Sequence, residues 1–223
     1  MDSRFIARME QVLHLYSLPH DKQYPTVCFD ERPCFLIGDA VAGLEMRAGQ
    51  VKREHYAYEK HGSCALLMAI EPQTGQRLAQ VHARRTKRDY AQFMHALAAR
   101  YPHARKIRVV QDNLNTHDVS AFYETFPAAD AFALAQRIEF HYTPKKASWL
   151  NMIEIEFSAL SKQCLARRIA TQAQLEHEVL ILVHEREEKA VTIDWQFSLE
   201  KARTKLHRHY QQLTEQPSQP QET

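Results

Sequence analysis

Two acidic residues each close an apolar, β-branched run, and a third opens an amphipathic segment. Thr26-Val27-Cys28-Phe29-Asp30 is the first run and Ile107-Arg108-Val109-Val110-Gln111-Asp112 the second. Ser148-Trp149-Leu150-Asn151-Met152-Ile153-Glu154 is the third. Runs like the first two fold as buried strands. A carboxylate at the end of a buried strand is costly unless it is paired or coordinates a cation. Three such groups converging would make a hard-oxygen site suited to magnesium or manganese. That is the apparatus for phosphoryl transfer on nucleic acid.

The pattern along the chain bears on whether they can converge. Phe5, Ile6, Met9, Val12, Leu13 and Tyr16 fall at helical spacing, and Pro19 ends that helix. Tyr24 to Glu31 reads as a strand broken by Pro33, with Cys34 to Ile37 as a second short one. Gly38 to Gly62 is polar and poorly patterned and reads as a long loop. Cys64 to Ile70 is a fully apolar strand, and Arg77 to His82 returns as its hairpin partner after the turn Glu71-Pro72-Gln73-Thr74-Gly75. A helix over Asp89 to Ala98, the strand to Asp112, a short helix from Val119 to Phe126 and the strand Ile138 to Tyr142 follow. Trp149 to Leu165 reads as one helix. Thr171-Gln172-Ala173-Gln174 has the pattern of a capping box and opens a helix to about Ala190. Ser198 to Tyr210 is the last helix, and the Gln/Pro-rich tail from Thr214 is expected to be disordered. The class is α/β, a mixed sheet flanked by helices. If the strands ending in Asp30 and Asp112 pair, the two carboxylates are neighbours.

Composition narrows the functions open to such a fold. The 223 residues are 44% apolar and 25% charged, ordinary for a globular protein. No apolar run has the length of a membrane span, and Met1-Asp2-Ser3-Arg4 lacks the layout of a signal peptide. The chain reads as cytoplasmic, with no membrane partner. Cys28, Cys34, Cys64 and Cys164 form no Cys-x-x-Cys pair, against a zinc ribbon, and read as buried structural thiols. The 13 histidines include no His-Glu-x-x-His. A net charge of +2 does not advertise a nucleic-acid binder. The clusters at Arg84–Arg88, Arg105–Arg108, Lys145-Lys146, Arg167-Arg168 and Lys201–Arg208 are more suggestive. On one face they would contact phosphates; each taken alone reads first as a solvated helix face.

Three blocks carry a resemblance to a family. Cys28-Phe29-Asp30-Glu31, Val109-Val110-Gln111-Asp112-Asn113-x-Asn115-x-His117 and Tyr142-Thr143-Pro144-x-x-x-Ser148-Trp149-Leu150-Asn151-x-x-Glu154 resemble the catalytic blocks of DDE transposases. The branch they most resemble is the mariner-like superfamily, in its bacterial insertion-sequence-630 group. The likeness runs from about Met9 to Tyr210. Each block alone is weak; three in order, with Asp112 82 positions after Asp30 and Glu154 42 after Asp112, are specific. The resemblance implies an RNase H-like fold, a five-stranded mixed sheet whose first three strands are antiparallel. It implies DNA strand cleavage and strand transfer of an insertion sequence into a TA-containing target, by a homodimer on transposon-end DNA. It implies two magnesium or manganese ions held by Asp30, Asp112 and Glu154. Relatives carry amino-terminal helix-turn-helix modules, for which the 29 residues before Asp30 leave no room. The expected organisation is a helix over 1–20, a catalytic domain over 21–212 and a tail over 213–223. A nuclease of the same fold without transposition, and a non-enzymatic DNA-binding remnant, are the alternatives.

Other residues of these blocks take expected roles. Lys145, Lys146, Trp149, Asn151 and His117 are candidate DNA contacts, although the place of Trp149 at the start of an amphipathic helix favours packing over stacking on a base. Asn113, Asn115 and His117 are expected to stand behind the acids or order their loop rather than bind a cation themselves. Glu154 and Glu156 fall on opposite shoulders of the stripe Leu150, Ile153, Phe157, Leu160 and Cys164, so periodicity does not choose between them. The motif selects Glu154 and leaves Glu156 at the surface or beside the ligand. Glu31, adjacent to Asp30, points to the opposite side of the strand.

Overall fold

The computed structural model describes residues 2–41, 56–114 and 117–215, with side chains as far as Leu213. Five strands form one mixed sheet: β1 (Thr26–Asp39), β2 (Tyr58–Ile70), β3 (Arg77–His82), β4 (Ile107–Gln111) and β5 (Ile138–Tyr142), in the spatial order β3-β2-β1-β4-β5. The pairs β1–β2 and β2–β3 are antiparallel, and β1–β4 and β4–β5 are parallel. This is the mixed RNase H-like arrangement, with its first three strands antiparallel. The parallel half needs crossovers, which helices supply. These are α2 (Lys87–Arg100) before β4, and α3 (Ser120–Thr125) with α4 (Ala128–Arg137) before β5.

Both sheet faces are covered, which explains the unbroken apolar run of β2. Alternation sends Val27, Phe29, Ala65, Leu67 and Val109 toward α2, α3 and α4. It sends Cys28, Leu66, Met68, Ile70 and Val110 toward α1 (Ser3–Ser17), α5 (Ile153–Gln163) and α6 (Gln172–Glu188). α1 is built into this body: Val12 and Leu15 pack under the sheet, and the Tyr16 hydroxyl donates to the Leu150 carbonyl at 2.8 Å. Its outer side meets α7 (Leu199–Lys205) and α8 (His207–Glu215), where Arg203 and Tyr210 both hold Glu10. Among the described residues no helix is long and apolar enough to cross a membrane.

The structure departs from the sequence reading in five places. Pro33 does not break β1, which runs to Asp39 with Pro33 opposite Ala65. β4 pairs with β1 only through Cys28, so β1 has a free edge at Pro33, where a missing N–H is tolerated. Part of the expected loop is strand, since β2 begins at Tyr58. Its register shifts opposite Leu36/Ile37, beside Gly62 at φ +100°. The helix expected from Trp149 is interrupted: a 3-10 turn over Ser148–Leu150 precedes α5, with Asn151 extended between them. The last helix divides at Leu206 into α7 and α8. The capping box of α6 is half formed: Thr171 accepts from the Gln174 amide, but the Gln174 side chain accepts from Ala170. The tail beyond Glu215, expected to be disordered, lies outside the described residues.

Candidate active site

The parallel register explains the first spacing. Thr26 pairs with Arg108, Val27 with Val109 and Cys28 with Val110, each an offset of 82 positions. Asp30 and Asp112 keep that offset two steps on, where the strands have ceased to bond. β1 and β4 therefore deliver one carboxylate each to the same end of the sheet. Asp30 shares the face of Cys28, which α5 covers.

Two hydrogen bonds set α5 over Asp30. The Asn151 side-chain amide donates to the Phe29 carbonyl at 2.8 Å, and the Arg32 guanidinium donates to the Phe157 carbonyl at 3.0 Å. Positions 29 and 32 bracket Asp30, and positions 151 and 157 bracket Glu154. Glu154, exposed in the first turn of α5, lies close enough to act on the Asp30 charge. Burial pushes the Asp30 carboxyl up to about 7. Asp112 and Glu154 push the same way, against the Glu31 amide and His117.

Glu156 lies about 200° round the helix from Glu154 and has a different task. It is 1% exposed, and two guanidiniums grip it bidentately. Arg77 does so at 2.9 and 2.9 Å, and Arg186 at 3.1 and 2.8 Å. Burial opposes its charge, but the two arginines prevail and hold its carboxyl below the usual range. The expectation that Glu156 sits at the surface or beside the ligand is corrected. Nothing in the local pattern announces it, since Arg77 and Arg186 are 79 and 30 positions away.

Asp112 follows the last residue of β4 and is hydrogen-bonded to His117, Nδ1 to Oδ1 at 2.7 Å. Burial disfavours the charged imidazole. The Asp112 hydrogen bond and the Glu31 carboxylate outweigh it and raise His117 to about 9. Glu31 faces away from Asp30 as expected, and its other oxygen pairs with Arg85 at 2.7 Å.

Asp112 at the end of β4 and Glu154 on α5 are thus both close enough to act on the charge of Asp30 on β1. Residues 25–176, well over half the chain and all three acids included, match the model of the DDE superfamily endonucleases. The chain belongs to this family. No curated protein matches it. Among solved structures, it is similar to a Mos1 transposase paired-end complex with the left transposon end. That match has 16% identity and a TM-score of 0.43, over 86% of this chain and 62% of that one. A pre-cleavage Mos1 transpososome matches at 15% and 0.43, over 88% and 65%. A mariner Mos1 paired-end complex with Mg matches at 14% and 0.37, over 86% and 62%. The chain spans less than two thirds of the length of those transposase chains.

The remaining expected residues of this DDE family member divide sharply. Asn151 and His117 are each 1% exposed, so neither presents to DNA; both work inside the site as described. Lys145 and Lys146 are exposed. Trp149 is 46% exposed, with its ring edge-to-face against Phe197 at 5.4 Å. Asn113 is exposed rather than packed behind the acids. It lines a surface groove with Asp2, Arg4, Phe5, Arg8, Pro144 and Lys145. Asn115 lies outside the described residues. Arg4, Arg8, Arg32, Arg77 and Arg186 carry no motif in the sequence, and only the fold brings them to the site or its supports.

The donor set suits a hard divalent cation: three carboxylate side chains, one of them disfavoured as an anion by burial first and by the other two second. Among the described residues no trio of acid, histidine or cysteine side chains is drawn tightly enough to grip an ion. Asp112 and Glu154 both disfavour the Asp30 anion, a repulsion that a cation would relieve.

Proposed function

We propose that the chain is the catalytic part of a DDE transposase of the insertion-sequence-630 group. It cleaves DNA strands at transposon ends and joins a 3′-hydroxyl to a TA-containing target. The observation that carries this reading is the Asp30–Asp112–Glu154 convergence, delivered by the β1–β4 register and the two bonds that seat α5. Asp30, Asp112 and Glu154 would hold magnesium or manganese, two ions in this reading. When bound, such ions acidify an attacking water or hydroxyl and offset charge on the leaving oxygen. The protein's own contribution is placement. Asn151 and Arg32 fix α5, and the Arg77–Glu156–Arg186 cluster fixes its rotation. No covalent protein–DNA step is needed, so no serine or tyrosine nucleophile is invoked.

The groove beside the acids suits the DNA backbone. Arg77, Arg85, Arg100, Arg186 and Arg203 are each engaged by a carboxylate. Among the described residues no salt bridge engages Arg4, Arg8 or Lys145, and their groove, which Asp2 also lines, includes Asn113, the neighbour of Asp112 in sequence. Its three cations against one carboxylate would track phosphates. In this reading two copies act together on DNA.

Nicking of supercoiled plasmid with magnesium tests the cleavage reading, and joining of a labelled 3′-hydroxyl oligonucleotide tests strand transfer. Glu154→Gln, Asp30→Asn and Asp112→Asn are each expected to lower nicking by orders of magnitude in folded protein. Undiminished nicking in all three contradicts the reading. Nicking without joining points to a nuclease of the same fold.

A further inference from the structure

We infer that His117 is a positioning residue that aims Asp112 at the cation; this rests on the metal-site reading above. Asp112 lies just beyond β4, so no strand partner fixes its side chain. His117 supplies what the sheet no longer does. Its Nδ1 takes one Asp112 oxygen at 2.7 Å and leaves the other without a bond to the ring, on a carboxylate close enough to act on the Asp30 charge.

The imidazole is itself held on every side. It stacks on Tyr90 at 4.9 Å and 22°, and meets the Phe29 ring edge-on at 5.4 Å. Its carbonyl accepts from the Gln111 amide at 3.1 Å, and Gln111 in turn accepts from the Tyr90 hydroxyl at 2.9 Å. Its Nε2 lies 3.7 Å from Glu31, too long for a hydrogen bond but within ion-pair range, and Arg85 anchors Glu31 from outside. The line Arg85–Glu31–His117–Asp112 thus crosses from the β3–α2 connection to the acid. Phe29 and Glu31 flank Asp30 on β1, so the strand that carries one acid also sets the ring that aims another. A histidine that only filled space would need neither nitrogen. Here Nδ1 bonds the acid and Nε2 faces a carboxylate. Groups bonded to a metal's ligands fix ligand orientation, and their loss typically weakens affinity by about 10–100-fold.

Manganese(II) binding, read as free ion by electron paramagnetic resonance, tests this without any activity. His117→Phe keeps an aromatic ring between Tyr90 and Phe29 but removes the donor. It is expected to stay folded and bind manganese about 10–100-fold more weakly. His117→Asn loses the stack but can place an amide N–H where Nδ1 stands, and is expected to recover most of the affinity. The opposite ranking, with Phe like wild type and Asn weak, overturns the proposal and leaves a packing role. Should His117→Phe not fold, the wild-type protein decides. The His117 Nδ1 nitrogen resonance should move on saturation with magnesium, and an unmoved resonance overturns the proposal. Asp112→Asn separates the two levels: unchanged manganese binding there defeats the metal site itself, whatever His117 does.

Discussion

Single residues are where sequence and structure part most clearly. Glu154 and Glu156 are indistinguishable on a helical wheel because both lie at the margin of the apolar stripe. What separates them is non-local: Asp30 across from one, Arg77 and Arg186 around the other. Glu156→Gln keeps the volume but leaves two largely buried guanidiniums without their counter-charge. It is expected to destabilise the fold by about 3–5 kcal/mol. Urea unfolding followed by circular dichroism measures this, and a loss under about 1 kcal/mol, the range of an exposed ion pair, would place Glu156 back at the surface. His117 and Asn151 carry the same lesson. Their motif positions are visible in the sequence, but their burial is not, because loop residues beside a strand end show no periodicity to read.

At the scale of elements, the strands were legible wherever burial imposed a pattern. β2, β4 and the first half of β1 are apolar because the sheet is covered on both faces. The 82-position spacing of the two aspartates is the β1–β4 register itself. Pro33 misled because its tolerance depends on where β4 stops, a tertiary fact. The break before α5 was hidden for a similar reason. Asn151 leaves the helix to reach the Phe29 carbonyl, and that partner is 122 positions away. Asn151→Ala removes a buried donor and strands this carbonyl. A cost of about 1–3 kcal/mol is expected, together with weaker magnesium binding as α5 loosens over Asp30. Chemical denaturation and magnesium titration of the same variant check both; unaltered magnesium affinity would remove Asn151 from the device that seats α5.

The whole molecule places a modest net charge unevenly. Arg77, Arg100, Arg186 and Arg203 are each engaged by a carboxylate, while Arg4, Arg8 and Lys145 line a groove with Asp2 and Asn113, the neighbour of Asp112 in sequence. DNA binding by this chain is expected to be tolerant of sequence and to weaken as salt rises. Arg4→Ala with Arg8→Ala is expected to reduce the slope of log affinity against log salt by about 2. Fluorescence anisotropy at several salt concentrations reads the slope, and an unchanged one would move the DNA elsewhere.

The most direct measurement concerns the three carboxylates together. An ion bound by the folded chain alone raises its melting temperature by mass action. Magnesium is therefore expected to raise the melting temperature of the wild-type protein in proportion to the logarithm of its concentration above the dissociation constant. Asp30→Asn, Asp112→Asn and Glu154→Gln are each expected to shrink that rise; Asp30→Asn and Glu154→Gln leave the metal-free melting temperature undiminished, whereas Asp112→Asn lowers it because buried His117 loses its partner. A rise that persists in full in all three variants would contradict a cation site built from Asp30, Asp112 and Glu154.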